Sequence, residues 1–467
     1  MSDTSGSPDS QETLRGRWWL EPTPEVDVSG VLAGNGLDGY TLEIDGTLGS
    51  APGAPSSGSW PIICGVTNEG PLTLLECRRV RSGERIAGTQ WLSYELIQPT
   101  FVLKGANLGP SQLAFNRVRV SFTHLEDWWG KSGIKESASS DPVYIRYEAP
   151  ASDQLRLPDD TLVTIAAGLE VHSAPRTAQL RQTAEVSFTL TTPLSVHEAI
   201  FAYIQPFRDL LTFACDHPSA ITQMFLSGPA VSVSPTYGTG GYLAVMGSAI
   251  SRTATPIAGP TRRLFTAASS QVPVDALIRS WYELYQAARL PLSVLLSLQY
   301  APPAFIDTRL LLIGLALESW HRTLRDHPRK KPEVFDAKVQ TILERVGKEF
   351  KSEVSSAFTY ANELRLRERI EELVAIGAQS LGPLVPNGRA FARRFAQGRN
   401  DITHFTVGRA RPSGAEMVEL AQTGAVVMTA DVLLQLGFNA VAIGPMLTAT
   451  LAYTEALGAR AAQHVEP

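Results

Sequence analysis

Cysteine is scarce in this 467-residue chain, which contains only Cys64, Cys77 and Cys215. Three cysteines cannot build the disulfide framework of a small secreted domain or a cysteine-based zinc site. The first residues, MSDTSGSPDSQ, lack the basic start and the apolar core of a signal peptide. No uninterrupted apolar run of membrane length occurs, because polar residues and Pro445 interrupt the most apolar stretch, residues 425–451. We therefore expect a cytoplasmic protein with no membrane partner.

The motifs of several large enzyme classes are also absent. The sequence has no Walker loop, no GxGxxG after a predicted strand, no His-Glu-x-x-His and no GxSxG. Its eight histidines are scattered without the spacing of metal ligands. P-loop nucleotide hydrolysis, dinucleotide-dependent redox chemistry and metal-dependent hydrolysis therefore lack support. We expect no bound metal and no cofactor.

Basic residues do not dominate the chain, but they cluster near its C-terminus. Lys and Arg total 41 against 46 Asp and Glu, so bulk charge gives no reason to expect non-specific binding of nucleic acid. Residues 389–411, however, contain six arginines and a single acidic residue, Asp401. This local cluster is a candidate surface for a polyanion.

Three patterns follow one another and predict an α+β multidomain chain. Residues 1–190 show short apolar alternations between Gly, Pro and Ser turns, which predict seven antiparallel strands in a sandwich or barrel. Residues 191–302 predict a mixed α/β extension with two strands, a connecting helix and an earlier helix kinked at Pro206. Residues 303–467 predict an all-α bundle. Helices are predicted over 195–215, 274–299, 305–327, 333–352, 356–379, 389–407, 414–436 and 439–457.

One short motif is able to carry chemistry, Arg399-Asn400-x-x-x-His404 in the segment RNDITH. On a helix, Asn400 and His404 are four residues apart and share a face. Gly398 predicts a flexible junction from which Arg399 can turn toward the same space. An imidazole, an amide and a guanidinium beside further arginines suit a phosphodiester. The motif alone leaves a structural alternative open, in which the histidine packs against a neighbour and the arginines are solvated.

The helical region resembles the HEPN domain, a ribonuclease and nucleotide-binding bundle whose signature is Arg, a polar residue, then His within a few positions. RNDITH fits that signature. The segment RLLLIGLALESWHR (309–322) resembles the first helix of the bundle in the ApeA family of bacterial anti-phage abortive-infection proteins. Further upstream, GRWWL, WPIICGVTNEGPLTLLEC, FVLKGANL and LEDWW resemble the ApeA N-terminal domain in order and spacing.

This resemblance implies a metal-independent endoribonuclease that a phage component triggers and that cleaves cellular RNA, with tRNA anticodon loops as the expected substrate. It makes His404 a general base or acid, Arg399 the ligand of the scissile phosphate, and Asn400 an orienting residue. HEPN nucleases typically face two motifs across a twofold axis, so a homodimer that can pair again into a tetramer is implied. The β-rich N-terminal domain is then the sensor or inhibitory domain.

Other residues are weaker candidates. Glu318 stands in an otherwise apolar helix and should pair, with Arg399 or Arg394, as a supporting residue of the site or as a structural ion pair. The arginines expected on the RNA backbone, which equally suit a solvated face, are Arg389, Arg393, Arg394 and Arg409. The tryptophans that are either exposed or core are Trp18, Trp19, Trp128 and Trp129.

Two other functions compete with the triggered ribonuclease. In the first, the protein is a non-catalytic HEPN-type binder of RNA or nucleotides, in which the arginines hold phosphate without cleavage. In the second, it is a carbohydrate-binding β-sandwich with a helical oligomerisation tail, which leaves RNDITH unexplained.

Overall fold

A computed structural model describes residues 11–21, 23–36, 38–48, 58–87, 90–137, 144–233, 240–247, 263–403 and 412–463. The chain divides into two units. The β unit comprises Met1–Leu211, Pro218–Pro256 and Thr266–Ala268, and the helical unit comprises Thr212–His217, Ile257–Phe265 and Ser269–Pro467. This architecture confirms the predicted α+β class, with a β-rich region first and a helical bundle last.

Alternating apolar and polar residues form the strands of the β unit, since alternation places one side chain in two on the buried face. The strands are β1 (Glu12–Trp19), β2 (Val28–Asn35), β3 (Gly39–Asp45), β4 (Ser59–Thr67), β5 (Gly70–Ala87), β6 (Gln90–Gln98), β7 (Phe101–Lys104), β8 (Phe115–Phe122), β9 (Ile134–Ser137), β10 (Tyr144–Tyr147), β11 (Asp153–Arg156), β12 (Leu162–Ala174), β13 (Thr177–Leu194), β14 (Ile221–Ser227) and β15 (Leu243–Met246). The short strands β9 and β10 pair only with each other, and the others form one antiparallel sheet.

The first six strands close into a barrel. Their order is β5-β4-β1-β2-β3-β6, and β6 pairs again with β5. Trp18 fills the interior, where a side chain on Gly65 would come within 2.2 Å of the indole ring. Trp128 and Trp129, in the short helix α1 (Leu125–Trp129), are also buried, so these three tryptophans belong to the core.

β5 also pairs with β7, and from there the sheet continues as β15, β14, β8, β13, β12 and β11. The sheet therefore includes β14 and β15, from the segment that the sequence pattern assigned to a separate mixed extension. β14 pairs with β8, and β15 pairs with β7. Local alternation predicts a strand but not its partner, which explains the difference.

The predicted helix over 195–215 is present with a change of helical type in its middle. It comprises α2 (Val196–Ala199), a π-helical turn over Ile200–Ile204 and α3 (Gln205–Cys215). Pro206 lacks the backbone N–H of a regular helix and its ring crowds the preceding turn. The π turn directly before it is where the helix accommodates that residue.

The helical unit contains the remaining helices. They are α4 (Val274–Ala287), α5 (Arg289–Tyr300), α6 (Ile306–Arg325), α7 (Pro332–Arg345), α8 (Lys351–Phe358), α9 (Leu366–Ile376), α10 (Ala378–Leu381), α11 (Gly388–Thr403), α12 (Gly414–Gln435), α13 (Ala440–Thr448) and α14 (Leu451–Gln463). The predicted helices over 305–327 and 414–436 are confirmed as α6 and α12.

Two predicted helices are divided. The helix predicted over 274–299 breaks at Ala288, because Pro291 in α5 cannot donate to the carbonyl of residue 287 and its ring would clash there. The helix predicted over 439–457 becomes α13 and α14, which are bent by 69°. The hydroxyl of Thr450 accepts from the backbone N–H of Tyr453 and begins the second helix.

Two predicted boundaries are wrong. α7 ends at Arg345, before Gly347, so the helix predicted over 333–352 is too long. The helix predicted over 356–379 is interrupted, since its first three residues end α8, residues 359–365 are not helical, and α9 begins at Leu366. Its start is fixed by Glu368, whose carboxylate accepts from the backbone N–H of Arg365 at 2.8 Å.

α12 is the central helix of the helical unit. By length and composition it could cross a membrane, but 78% of its apolar window is buried within the protein. Its two buried acids are paired, Glu419 with Arg394 and Asp431 with Arg325. A buried helix whose carboxylates meet arginines of neighbouring helices is typical of the core of a bundle.

Candidate active site

α11 carries the arginine motif and packs by one face. The side-chain oxygen of Asn387 accepts from the backbone N–H of Ala390 at 3.0 Å and begins the helix. Its buried residues, which face α6, α9 and α12, are Phe391, Ala392, Phe395, Ala396 and Gly398. The packing of this face fixes which way the polar residues of α11 point.

Gly398 is not the flexible junction that the sequence suggested. α11 runs through this residue without interruption, and Gly398 is buried. A Cβ at this position would lie 3.2 Å from Cδ1 of Leu420 in α12. Glycine is therefore used here for close helix packing, and Arg399 and Asn400 are held on a regular helix.

Arg399 lies against α6. The stem of its side chain passes Gly314, where a Cβ would come within 3.3 Å of Cγ of Arg399. Its Nη2 lies 3.9 Å from Oε2 of Glu318, and its Nη1 donates to Oδ1 of Asn400 at 3.3 Å. The side chain keeps 30% of its surface exposed. These long contacts orient the guanidinium and leave N–H groups available to an anion.

Glu318 is positioned from its other side as well. Its Oε1 lies 3.5 Å from Nη2 of Arg322, which in turn contacts Glu363 at 3.1 Å. The expected contact between Glu318 and Arg399 is therefore present within a longer chain of charges. Glu318 holds Arg399 at the surface of α6 without burying it.

Arg394 lies on the opposite flank of α11. Its guanidinium contacts Glu416 at 3.1 Å and the buried Glu419 at 2.6 Å. Arg460 of α14 reaches the same Glu419 at 2.9 Å. Burial is the largest single influence and works against the charge of Arg394, but the hydrogen bonds and negative charges of Glu419 and Glu416 together outweigh it and raise the pKa of the guanidinium. This ion-pair network gives Arg394 a structural role that does not require contact with RNA.

The other predicted RNA-binding residues are not gathered at one point. Arg393 is exposed, and Arg389 is exposed near the start of α11, ten residues before Arg399 and about 15 Å from it along the helix. His404 and Arg409 lie outside the described residues. The structure thus brings together Arg399, Asn400 and Glu318.

A second polar cluster lies elsewhere in the helical unit, and sequence reasoning missed it. His321 is fully buried, and its Nε2 lies 2.7 Å from Glu372 of α9. His327 contacts the same carboxylate at 3.1 Å, and the buried Arg369 contacts Nδ1 of His321. One feature of the sequence could have indicated that His321 is buried: it stands four residues after the buried Leu317, on the apolar stripe of α6.

The donor atoms of the described residues do not form a metal site: no group of three or more His, Cys, Asp or Glu is placed to hold an ion there. The pair His321 and Glu372 is completed by arginine, which donates hydrogen bonds and does not ligate a metal.

Two family models match the chain, one in each unit. Residues 13–237 match ApeA N-terminal domain 1, and residues 311–441 match the Apea-like HEPN domain. The chain belongs to the ApeA family. No curated protein and no solved structure matches it significantly.

The ApeA-family matches confirm the resemblance that the sequence motifs indicated. The HEPN match takes in most of α6 and all of α7 to α12, and so contains Glu318, Arg399 and Asn400. HEPN domains are in general ribonuclease-like, so the match supports an ApeA-type defence protein with a ribonuclease-like domain.

Proposed function

We propose that this protein is an anti-phage endoribonuclease that cleaves RNA without a metal ion, through the motif Arg399-Asn400-x-x-x-His404. The observation that carries the proposal is the placement of Arg399. Its guanidinium is oriented by Glu318 and Asn400 at the surface of a HEPN-matched domain, and part of it stays exposed. A cation held in this way is suited to bind a phosphate from solution.

The chemistry uses the nucleophile that RNA itself carries. The ribose 2′-oxygen attacks the adjacent phosphorus as the bond to the 5′-oxygen breaks, which leaves a 2′,3′-cyclic phosphate and a 5′-hydroxyl. His404 takes the proton of the 2′-hydroxyl or delivers one to the leaving oxygen, a contribution of about 10²–10⁴-fold. Arg399 stabilises the charge that develops on the phosphate oxygens, typically worth about 10²–10³-fold. Asn400 orients the guanidinium or the phosphate.

The proposed enzyme is a homodimer, which can pair again into a tetramer. One chain supplies a single His404, whereas the reaction benefits from both a base and an acid. Two motifs that face each other across a twofold axis supply two imidazoles and two guanidiniums to one cleft. The exposed Arg393 of each chain is then available to the RNA backbone.

The proposed substrate is tRNA, cleaved at the anticodon loop, and the proposed trigger is a phage component. In this scheme the β unit restrains the nuclease until the trigger is present. The support is the matched ApeA N-terminal domain, fused to a domain whose uncontrolled activity would harm the cell.

The experiment compares wild type with His404→Ala in cells, before and during phage infection, with RNA 5′ and 3′ ends mapped. We expect new 5′-hydroxyl ends, toxicity and phage restriction from wild type only. Protein purified from phage-infected cells should give the same ends with tRNA in EDTA. Arg176→Ala, which removes an exposed arginine of the β12–β13 hairpin, is the matched control.

The outcomes separate cleavage from binding. His404→Ala that restricts phage and produces RNA ends as wild type does would remove the catalytic assignment. RNA binding by wild type with no cleavage under any of these conditions would favour the non-catalytic HEPN-type binder instead.

A further inference from the structure

The helical unit contains a cavity of about 1200 Å³ that the proposed reaction does not use. α7 and α8 line one side of it, and α9, α10 and the start of α11 line the other. Its volume lies above the range of about 300–1,000 Å³ that is typical of small-molecule sites, so a small organic ligand can enter it.

The wall formed by α7 and α8 is apolar. Phe335, Val339 and Ile342 face the cavity from α7, and Phe358 faces it from α8. The rings of Phe335 and Phe358 meet edge to face at 6.3 Å and join the two helices. Neither helix has a fully buried residue, although an amphipathic helix usually gains stability by burying its apolar face. The apolar faces of α7 and α8 therefore line the cavity.

The acidic residues of the lining are already neutralised. Glu368 contacts Arg329 at 2.8 Å, and Glu371 contacts Arg367 at 3.4 Å. The third carboxylate, Glu372, is the partner of the two histidines described above. These pairs leave little negative charge available to attract a cation.

Several basic residues of the lining, unlike Arg329 and His327, have no acidic partner among the described residues. Lys330 and Lys338 line the cavity, and neither ammonium forms an ion pair with any residue that the structure describes. Arg389 adds a third such cation from the first turn of α11. The cavity thus combines an apolar wall with unpaired positive charge.

We propose that this cavity binds an amphipathic anion, a ligand with an apolar body and a terminal phosphate, sulfonate or carboxylate. The apolar body packs against Phe335, Val339 and Ile342, while the anionic group meets Lys330 and Lys338. Charge complementarity selects this class over a neutral apolar ligand, and the apolar wall selects it over a free inorganic anion.

The test is a fluorescence titration of the full-length protein with 1-anilinonaphthalene-8-sulfonate, an aromatic sulfonate. We expect saturable binding to one site per chain. Lys330→Ala/Lys338→Ala should weaken it roughly tenfold or more, because two charge-assisted contacts are lost. Lys348→Ala, an exposed lysine that does not line the cavity, is the matched control and should bind as wild type does.

Two further arms test the apolar wall and the role of charge. Val339→Trp narrows the cavity beside the apolar wall and should weaken binding, with a cooperative thermal transition showing that the variant is folded. The uncharged N-phenyl-1-naphthylamine should bind wild type more weakly than the sulfonate, and inorganic phosphate alone should not compete at equal concentration. Binding of the sulfonate that survives both the double lysine variant and Val339→Trp would overturn the proposal. Equal affinity for the charged and uncharged probes would overturn it as well.

Discussion

Arg369 and His321 meet in the interior of the helical unit, where neither side chain is exposed. Nη1 of Arg369 lies 3.1 Å from Nδ1 of His321. Because a guanidinium only donates, Nδ1 is the acceptor, and the neutral imidazole carries its proton on Nε2, 2.7 Å from Glu372. Burial lowers the pKa of His321, and the bond to Glu372 opposes that effect only in part. Burial therefore favours the neutral form of this histidine, and Arg369 fixes its tautomer.

We expect Arg369→Ala to lower the free energy of unfolding by about 3–5 kcal/mol, since removing a buried cation leaves its polar partners unpaired. Those partners are Nδ1 of His321, the backbone carbonyl of Leu364 and Asp326, whose Oδ1 lies 2.7 Å from Arg369. Arg367→Ala, on the same helix, removes a half-exposed i,i+4 pair with Glu371 and should cost less than about 1 kcal/mol. Denaturant unfolding of both variants measures the difference, and equal costs would contradict a structural role for Arg369.

His327 should make stability depend on pH. Its hydrogen bond to the carbonyl of Pro328 and its contact with Glu372 raise its pKa above the ordinary value. A raised pKa in the folded state contributes stability that is complete below the unfolded pKa of about 6.5 and is lost as the pH rises through the folded pKa. His327→Ala should therefore lower Tm more at pH 5.5 than at pH 8.5. A constant Tm difference across this range would show that the histidine does not titrate against Glu372.

Arg399→Lys should lose most RNA cleavage and remain folded. A lysine keeps the positive charge but cannot reproduce the fork of donors that grips a phosphate. The side chain is partly exposed and its contacts with Glu318 and Asn400 are long, so its removal should change Tm little. Cleavage of tRNA and circular dichroism separate the two effects. Cleavage by Arg399→Lys within threefold of wild type would contradict the role given to the guanidinium.

Gly314→Ala should reduce cleavage without a matching loss of stability. The added Cβ would lie 3.3 Å from Cγ of Arg399, so that side chain must move by a few tenths of an ångström. Inside a helix, alanine raises the free energy of unfolding by about 1 kcal/mol relative to glycine, and this gain offsets the crowding. Gly458→Ala in α14, where the new methyl group meets nothing within 4 Å, is the control and should raise stability only. Equal activity of the two variants would show that the position of Arg399 is not critical.

The proposed composite site predicts that activity depends on assembly. Mass photometry should show dimers, or tetramers, at concentrations where RNA is cleaved. Mixing inactive His404→Ala with excess inactive Arg399→Lys should restore part of the cleavage, because a heterodimer cleft holds one intact guanidinium and one intact imidazole. Monomers that remain fully active at nanomolar concentration would rule out a shared cleft.

Local pattern was enough for much of the secondary structure. The apolar spacing of α6 and α12, and the alternation in β8 and β12, predict those elements because helix and strand periods are set by the backbone itself. Pro206 and the motif RNDITH were likewise visible in the sequence. The resemblance of the two regions to ApeA and HEPN domains rested on short segments, and the family matches confirm it.

The errors came from interactions that no local pattern contains. The polar cluster around His321 forms only when this residue of the buried stripe of α6 meets Arg369 and Glu372 from α9. Arg394 belongs to the same sequence cluster as Arg399, yet the two point to opposite flanks of α11 and meet different helices. Because an α-helix has 3.6 residues per turn, residues that are close in sequence can lie on different sides of the helix. Only the packing of the bundle decides which side contacts an acidic residue.

The sequence by itself determined which residues can form helices and strands and where an Arg, an Asn and a His stand close together. The tertiary structure decided that the barrel closes between β5 and β6 and which residue of α6 contacts Arg399. It also decided that a cavity lies beside α7. The physical reason is that period and propensity act over a few residues, whereas strand pairing, ion pairing and cavity shape depend on segments that meet only when the chain folds.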